Sequence, residues 1–351
     1  MNKKILTIIF FLAIIALVFG AFLIFKYFQE EEREPIFKPE PEEIKDIVLA
    51  NNQFAIDLYA KAKNREKNIF FSPYSLSVAL AMTYEGAKGE TAQEMENVFN
   101  FPKDNQFRRN SYFILQNWLL GKNTEHELNL ANAIWPQKDF LFLKEYFDII
   151  SEHYQGLIEN VDFAAKPEQS REKINKWVEI ETKGKIKDLI PQGAINPLTR
   201  LILTNAIYFK GQWLQEFNKI NTQKDSFYIA PKESIRVEMM QRLDEEASFP
   251  YYETQDLQVL EMPYSGEQAS MLVLLPGEGG LEGLEEQLTL ENLNFWQENL
   301  KEQRVKLYFP KFKLETKYFL KNLFGEMGIK KAFTEEADFS GISGKKEFQY
   351  S

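Results

Sequence analysis

Apolar residues recur at helical spacing through the first half of the chain and in alternation through much of the second. Leu76, Ala79, Leu80 and Tyr84 share one face of a helix predicted over 73–84. Its start is legible. Ile69 to Phe71 is a short apolar, strand-like run, Ser72 can accept from the first free helical amides, and Pro73 sits where a missing N–H costs nothing. Gly86 and Gly89 stop this helix, and Thr91 with Glu94 three residues on predicts a capping box for the next. Further helices are expected over 51–63, 107–120, 143–153 and 168–183. In the last of these Ile174, Trp177, Val178 and Glu181 fall at i, i+3, i+4 and i+7, with Glu181 interrupting the apolar face and Gly184 supplying the stop. Strands are expected over 201–209, 236–241, 257–262, 270–275 and 305–314. Helices first and strands later indicate α+β rather than alternating βαβ.

Two strands carry details that set them apart. Period two puts Leu203, Asn205, Ile207 and Phe209 on one face, apolar except for Asn205. A buried amide costs a few kcal/mol unless it is hydrogen-bonded, so Asn205 needs a partner, and Ser72 and Ser75 at the start of a small-faced helix can supply it. A single satisfied core asparagine, which needs no switch, is the alternative. In 305–314 the apolar phase shifts across Pro310, which implies an edge or a bulge. Lys311 then lands out of phase, at a site expected to be buried and to need an acidic partner.

Composition narrows the function. Hydrophobic residues make up 44% of the chain, with 30 Phe and 15 Tyr, enough to fill a sizeable core. The net charge of −10 argues against a broad basic surface for nucleic acid. Cysteine is absent, which removes disulfides, thiol nucleophiles and thiolate metal sites. No N-x-Ser/Thr acceptor for glycosylation occurs.

The N-terminus speaks to location. Lys3 and Lys4 precede an uncharged run from Ile5 to Phe25, which as a helix would span about 31 Å, the thickness of a hydrocarbon core. The charges after it are mostly acidic, so the positive-inside rule puts the N-terminus in the cytoplasm and the domain outside. A signal peptide cleaved near Gly20, leaving a secreted domain, is the competing reading; the run continues past Gly20 without a good A-x-A site, which favours an anchor. Residues 1–28 are therefore expected to form a transmembrane signal-anchor, 29–45 an acidic Pro/Glu-rich stalk, and 46–351 the domain.

Catalytic chemistry is hard to find. His126 and His153 are isolated and fit no metal spacing. Gly341-Ile-Ser-Gly344 falls one residue short of a nucleophile elbow. Gly277-Glu-Gly-Gly280-Leu-Glu-Gly283 misses the dinucleotide spacing and reads as a flexible loop. No acid/base carboxylate pair can be singled out. An enzyme is not indicated, and no cofactor or metal site is expected.

A family resemblance organises these pieces. Asn68-Ile-Phe-Phe-Ser-Pro-Tyr-Ser-Leu-Ser77, Gly86-Ala-Lys-Gly89 and Thr91-Ala-Gln-Glu-Met95 resemble the N-terminal signature of the serpins. Matching segments follow in the family's order: Leu130-Ala-Asn-Ala-Ile-Trp135, Asn175-Lys-Trp-Val178, Thr182 to Pro191, Leu203 to Trp213, Val305 to Phe312, Met327 to Phe333 and Ala337 to Ser343. The resemblance runs from about Asn51 to Ser351. It implies N-terminal helices packed on a large mixed or antiparallel main sheet with smaller sheets beside it. The C-terminal strands and the reactive loop with its reactive-site bond are expected beyond Ser351, and Phe348-Gln-Tyr-Ser351 resembles the approach to a strand. The implied activity of the full-length form is suicide inhibition of a serine, or less often cysteine, protease by a monomer whose cut loop inserts as a new strand. A non-inhibitory serpin-fold binding or structural protein is the alternative. Residues matching Ser72, Ser75 and Asn205 form the family's shutter beneath the sheet opening, and those matching Trp213, Phe217 and Lys311 its breach at the top.

Overall fold

The computed structural model describes residues 41–63, 68–121, 125–230, 232–277, 280–316 and 318–346. The Ser72 side chain accepts from the Ser75 amide at 3.2 Å and Pro73 opens the helix, as the sequence predicts. In chain order the helices are α1 (Pro41–Ala62), α2 (Pro73–Gly86), α3 (Gly89–Phe99), α4 (Asn105–Leu119), α5 (Lys144–Tyr154), α6 (Pro167–Glu181), α7 (Gly280–Gln287), α8 (Leu290–Glu298), α9 (Leu320–Met327) and the short α10 (Ser340–Ser343). The strands are β1 (Glu127–Pro136), β2 (Leu157–Ile158), β3 (Leu201–Lys210), β4 (Gln223–Ala230), β5 (Glu233–Arg242), β6 (Ser248–Glu253), β7 (Leu257–Pro263), β8 (Ser270–Pro276), β9 (Lys301–Arg304) and β10 (Leu307–Pro310).

Among the described residues the strands make three sheets, ordered β2-β1-β3, β10-β5-β4 and β8-β7-β6-β9. The pairing of β1 with β3 is antiparallel over ten residues and puts Asn132 directly opposite Asn205. Both faces of this pair are covered. Ile134, Leu201 and Leu203 join the main core with Phe54, Met82, Tyr112 and Ile150 from the N-terminal helices. On the other face Ala131, Trp135, Ile202 and Ala206 meet Ile174, Trp177 and Val178 of α6. Period two therefore sends alternate residues of one strand into two separate cores.

Several expectations are corrected. The first helix begins at Pro41, ten residues before its predicted start, so 41–45 is helix rather than stalk. Pro41 suits the first helical position, Glu42 and Glu43 favour the positive end of the helix dipole, and Ile47, Phe54 and Leu58 carry the buried face. The capping box does not form. Lys88 is the N-cap of α3, and the Thr91 hydroxyl instead accepts from the Asp338 amide at 2.9 Å. Glu94 accepts from the amides of Lys330 and Lys331, both at 2.7 Å. Residues 280–283, read as loop, open α7, whose Leu284 is buried. The last predicted strand is shorter: β10 ends at Pro310 on a sheet edge, which fits the missing N–H. The apolar run from Ile5 to Phe25, the stalk up to residue 40 and the segment 347–351 lie outside the described residues. Among those described, no helix is long and apolar enough to cross a membrane.

Candidate functional site

Ser75 lies in the first turn of α2, where the Ser72 cap fixes the backbone, and its hydroxyl donates to Asn205 Oδ1 on β3. Asn205 Nδ2 in turn donates to Asn132 Oδ1 at 2.5 Å. Asn132 is 4% exposed, and its Nδ2 donates to Gln116 Oε1 at 3.3 Å and to the Tyr154 carbonyl at 3.2 Å. Of the two serines expected beside Asn205, Ser75 bonds it directly, while Ser72 accepts from the Ser75 amide, and all three line one cavity. The structure adds Asn132, which the sequence reading passed over. The signal was available: Asn132 alternates with Leu130 and Ile134 just as Asn205 alternates with Leu203 and Ile207.

Beside these residues lies a cavity of about 280 Å³. Ser75, Asn205 and Ile207 bound it on one side, and Thr316, Tyr318 and Leu323 on the other. Two hydrogen bonds hold the far wall to the strand-like run before α2. The Thr316 hydroxyl donates to the Phe70 carbonyl at 2.5 Å, and the Phe70 amide donates to the Tyr318 hydroxyl at 3.1 Å. β3 is the last strand of its sheet among the described residues, so its outer edge borders this gap without a strand neighbour.

The second predicted constellation sits at the far end of β3. Phe209 meets the Tyr264 ring edge-on at 5.0 Å, and Tyr264 stacks on Trp213 at 4.5 Å with the planes 12° apart. Phe309 of β10 then touches both Trp213 and Phe217, at 6.4 and 6.3 Å. Trp213 and Phe217 are half-buried here and belong to the core that holds residues of β6, β7 and β10. Lys311 departs from expectation. It follows Pro310 on the strand edge, its amide donates to the Glu238 carbonyl at 2.8 Å, and its side chain is exposed rather than buried against an acid. The chain leaves the sheet at Pro310, so the alternation that would have turned Lys311 inward ends there.

Burial lowers the pKa of both His126, in the bend before β1, and His153, in α5. Among the described residues, no three His, Cys, Asp or Glu side chains converge as metal ligands. The arrangement consists of a strand edge, a buried polar hydrogen-bond network and a mainly apolar cavity beside it.

The family model described as Serpin (serine protease inhibitor) matches residues 49–351. The chain belongs to the serpin family. It is 40% identical over 300 residues to an uncharacterized serpin-like protein of Thermococcus kodakarensis, covering 85% of this chain and 69% of that one. Against human Serpin B3 the identity is 42% over 318 residues, covering 85% of this chain and 81% of the relative. Emu ovalbumin superposes with a TM-score of 0.81 at 31% identity, covering 85% of this serpin and 82% of ovalbumin. The α+β architecture read from the sequence is the serpin fold.

Proposed function

We propose that this serpin acts by strand acceptance: a loop cut by a target protease inserts along the outer edge of β3, and the attached acyl-enzyme is carried off and distorted. The observation that carries this reading is the edge of β3, which has no strand neighbour among the described residues and borders the cavity lined by Ser75, Thr316, Tyr318 and Leu323. Serpin loop insertion is itself a standard case of strand addition and of released strain, so the mechanism rests on the family and its fit on the gap. Ser72, Ser75 and Asn205 serve as the latch below the opening. Trp213 and Phe217, with Lys311 on the rim beside them, secure its top. The target is a serine-type protease, or a cysteine protease that forms the same acyl linkage. The uncharged run from Ile5 to Phe25 supports a domain anchored outside the cytoplasm.

Strand acceptance is tested with the 351-residue chain and a synthetic peptide of about ten small and β-branched residues, one strand in length. Insertion should raise Tm with peptide concentration, because a ligand of the folded state alone stabilises it, and should protect β3 amides from exchange. An unchanged Tm at saturating peptide overturns the reading. Inhibition is tested separately by mixing the protein with serine proteases. An SDS-stable one-to-one complex with a serine protease supports it, and simple substrate cleavage points to a binding role instead.

A further inference from the structure

Glu85, in the last turn of α2, is a buried acid that the strand gap does not touch. Its side chain and that of Arg108 are each 1% exposed, and Arg108 donates to Glu85 Oε1 at 2.9 Å. Arg109 grips the other oxygen with two bonds, from Nε at 3.0 Å and from a terminal nitrogen at 2.7 Å. The Tyr154 hydroxyl donates to Oε1 at 2.8 Å. Tyr154 is also the residue whose carbonyl accepts from Asn132.

The hydrogen bonds form two stretches that meet at Tyr154, one ending on its carbonyl and one starting from its hydroxyl. Ser75 donates to Asn205, Asn205 to Asn132, Asn132 to the Tyr154 carbonyl, and the Tyr154 hydroxyl to Glu85. Their outer ends lie on α2, ten residues apart, so together they close through β3, β1 and α5 back onto the same helix. Donor capacity fixes the sense of the first stretch. An amide has two N–H donors and one carbonyl, and Asn132 directs its Nδ2 to Gln116 and the Tyr154 carbonyl. Its Oδ1 is left to face Asn205, which turns the Asn205 Nδ2 inward and its Oδ1 toward Ser75. Successive bonds of one polarity strengthen each other in a low-dielectric interior.

We infer that Glu85 and Tyr154 are positioning residues for the strand gap: held by Arg108 and Arg109, they set where the Tyr154 carbonyl stands, and through Asn132 they orient Asn205 at the β3 edge. This rests on reading the gap as the strand-accepting site. The device is conformational, and it makes a cluster on the helical side a determinant of how readily β3 moves.

The test is amide hydrogen exchange on the full chain, with Tyr154→Phe set against Tyr146→Phe. Both remove one buried hydroxyl that α5 directs at α2; the Tyr146 hydroxyl donates to the Met82 carbonyl at 3.2 Å and lies off both stretches. A buried bond to a charged group is worth enough for Tyr154→Phe to raise exchange of the 201–207 amides about tenfold. Tyr146→Phe should leave those amides within about twofold of wild type at equal loss of global stability. Arg109→Lys keeps the charge but loses the two-pronged grip, and should raise exchange at the same amides by a smaller factor. Equal β3 exchange in Tyr154→Phe and Tyr146→Phe, or a Tyr154→Phe effect confined to α5, overturns the inference. No protease or peptide enters this measurement, so the coupling can fail while strand acceptance stands, and the peptide test can fail while the coupling stands.

Discussion

The Asn175 side chain pairs with the backbone of Ile190 in both directions, donating to its carbonyl at 2.9 Å and accepting from its amide at 2.8 Å. Arg171 donates to the same carbonyl at 2.9 Å. Together they tie α6 to the middle of the irregular segment 182–200 that leads into β3. Asn175 is buried, so Asn175→Ala leaves the Ile190 amide without its acceptor. The expected cost is about 1–3 kcal/mol. It should appear as a lower urea midpoint at unchanged slope, and an unshifted midpoint would show the clasp to be idle.

Gly86 and Ile342 meet just as closely at the other end of α2. A Cβ on Gly86 would fall inside the Ile342 side chain, overlapping Cγ1 and 2.9 Å from Cδ1, and Ile342 is 4% exposed. The close approach is mutual, since a Cβ added at Gly341 would lie 2.8 Å from the Gly86 carbonyl oxygen. Gly86→Ala should therefore destabilise by about 1–3 kcal/mol through overpacking, outweighing the gain in helix propensity. Ile342→Ala removes the obstructing atoms. Adding Gly86→Ala to that background should cost much less than in wild type, and additive effects in the double-mutant cycle would contradict the contact.

These two contacts show what could be read from the chain and what could not. The α2 cap and stop followed from Ser72, Pro73 and Gly86 because they act over a few residues. Asn205 was singled out because a polar residue on an apolar strand face is a local anomaly. Its serine partner could be named, yet Asn132, an anomaly of the same kind, was overlooked inside an alanine-rich run. Thr91 and Glu94 fitted a local motif, but tertiary partners at Asp338, Lys330 and Lys331 took both side chains. Lys311 was misread because alternation was carried past Pro310. Glu85 gave no signal at all, since its two arginines come from α4 and its tyrosine from α5.

The Glu85 cluster also sets a pH dependence. Burial pushes its carboxyl up, but the Arg109 bonds, the Arg108 charge and the Tyr154 hydroxyl outweigh that, and the net shift is below the ordinary 4.5. A depressed acid contributes stability that is complete above its unfolded value and is lost as pH falls toward its folded one. Glu85→Gln leaves the buried Arg108 without its counter-charge, at a cost of about 3–5 kcal/mol near neutrality. The difference between wild type and Glu85→Gln in urea unfolding should therefore be largest at neutral pH. It should narrow on acidification below 4.5, and a gap that widens in acid would refute this account.

The sheet edges differ in how they are protected. β9 reads Lys-Glu-Gln-Arg and is exposed throughout, and β10 ends in Pro310, both features that discourage strand addition. β3 carries no charge before Lys210, and β8 carries none at all. Each is the last strand of its sheet among the described residues, with partly buried apolar side chains along it. The domain from residue 41 onward is therefore expected to self-associate at micromolar concentration through these two edges. Phe209 and Leu275 are 42% and 51% exposed on β3 and β8, so neither lysine opens the buried core, although Phe209→Lys gives up the edge-on contact with Tyr264. Sedimentation velocity should show mass rising with concentration in the parent domain and a marked fall in association for Phe209→Lys with Leu275→Lys. A parent that stays monomeric with one cooperative thermal transition, or a double variant that associates as strongly as the parent, would remove β3 and β8 as the sites of contact.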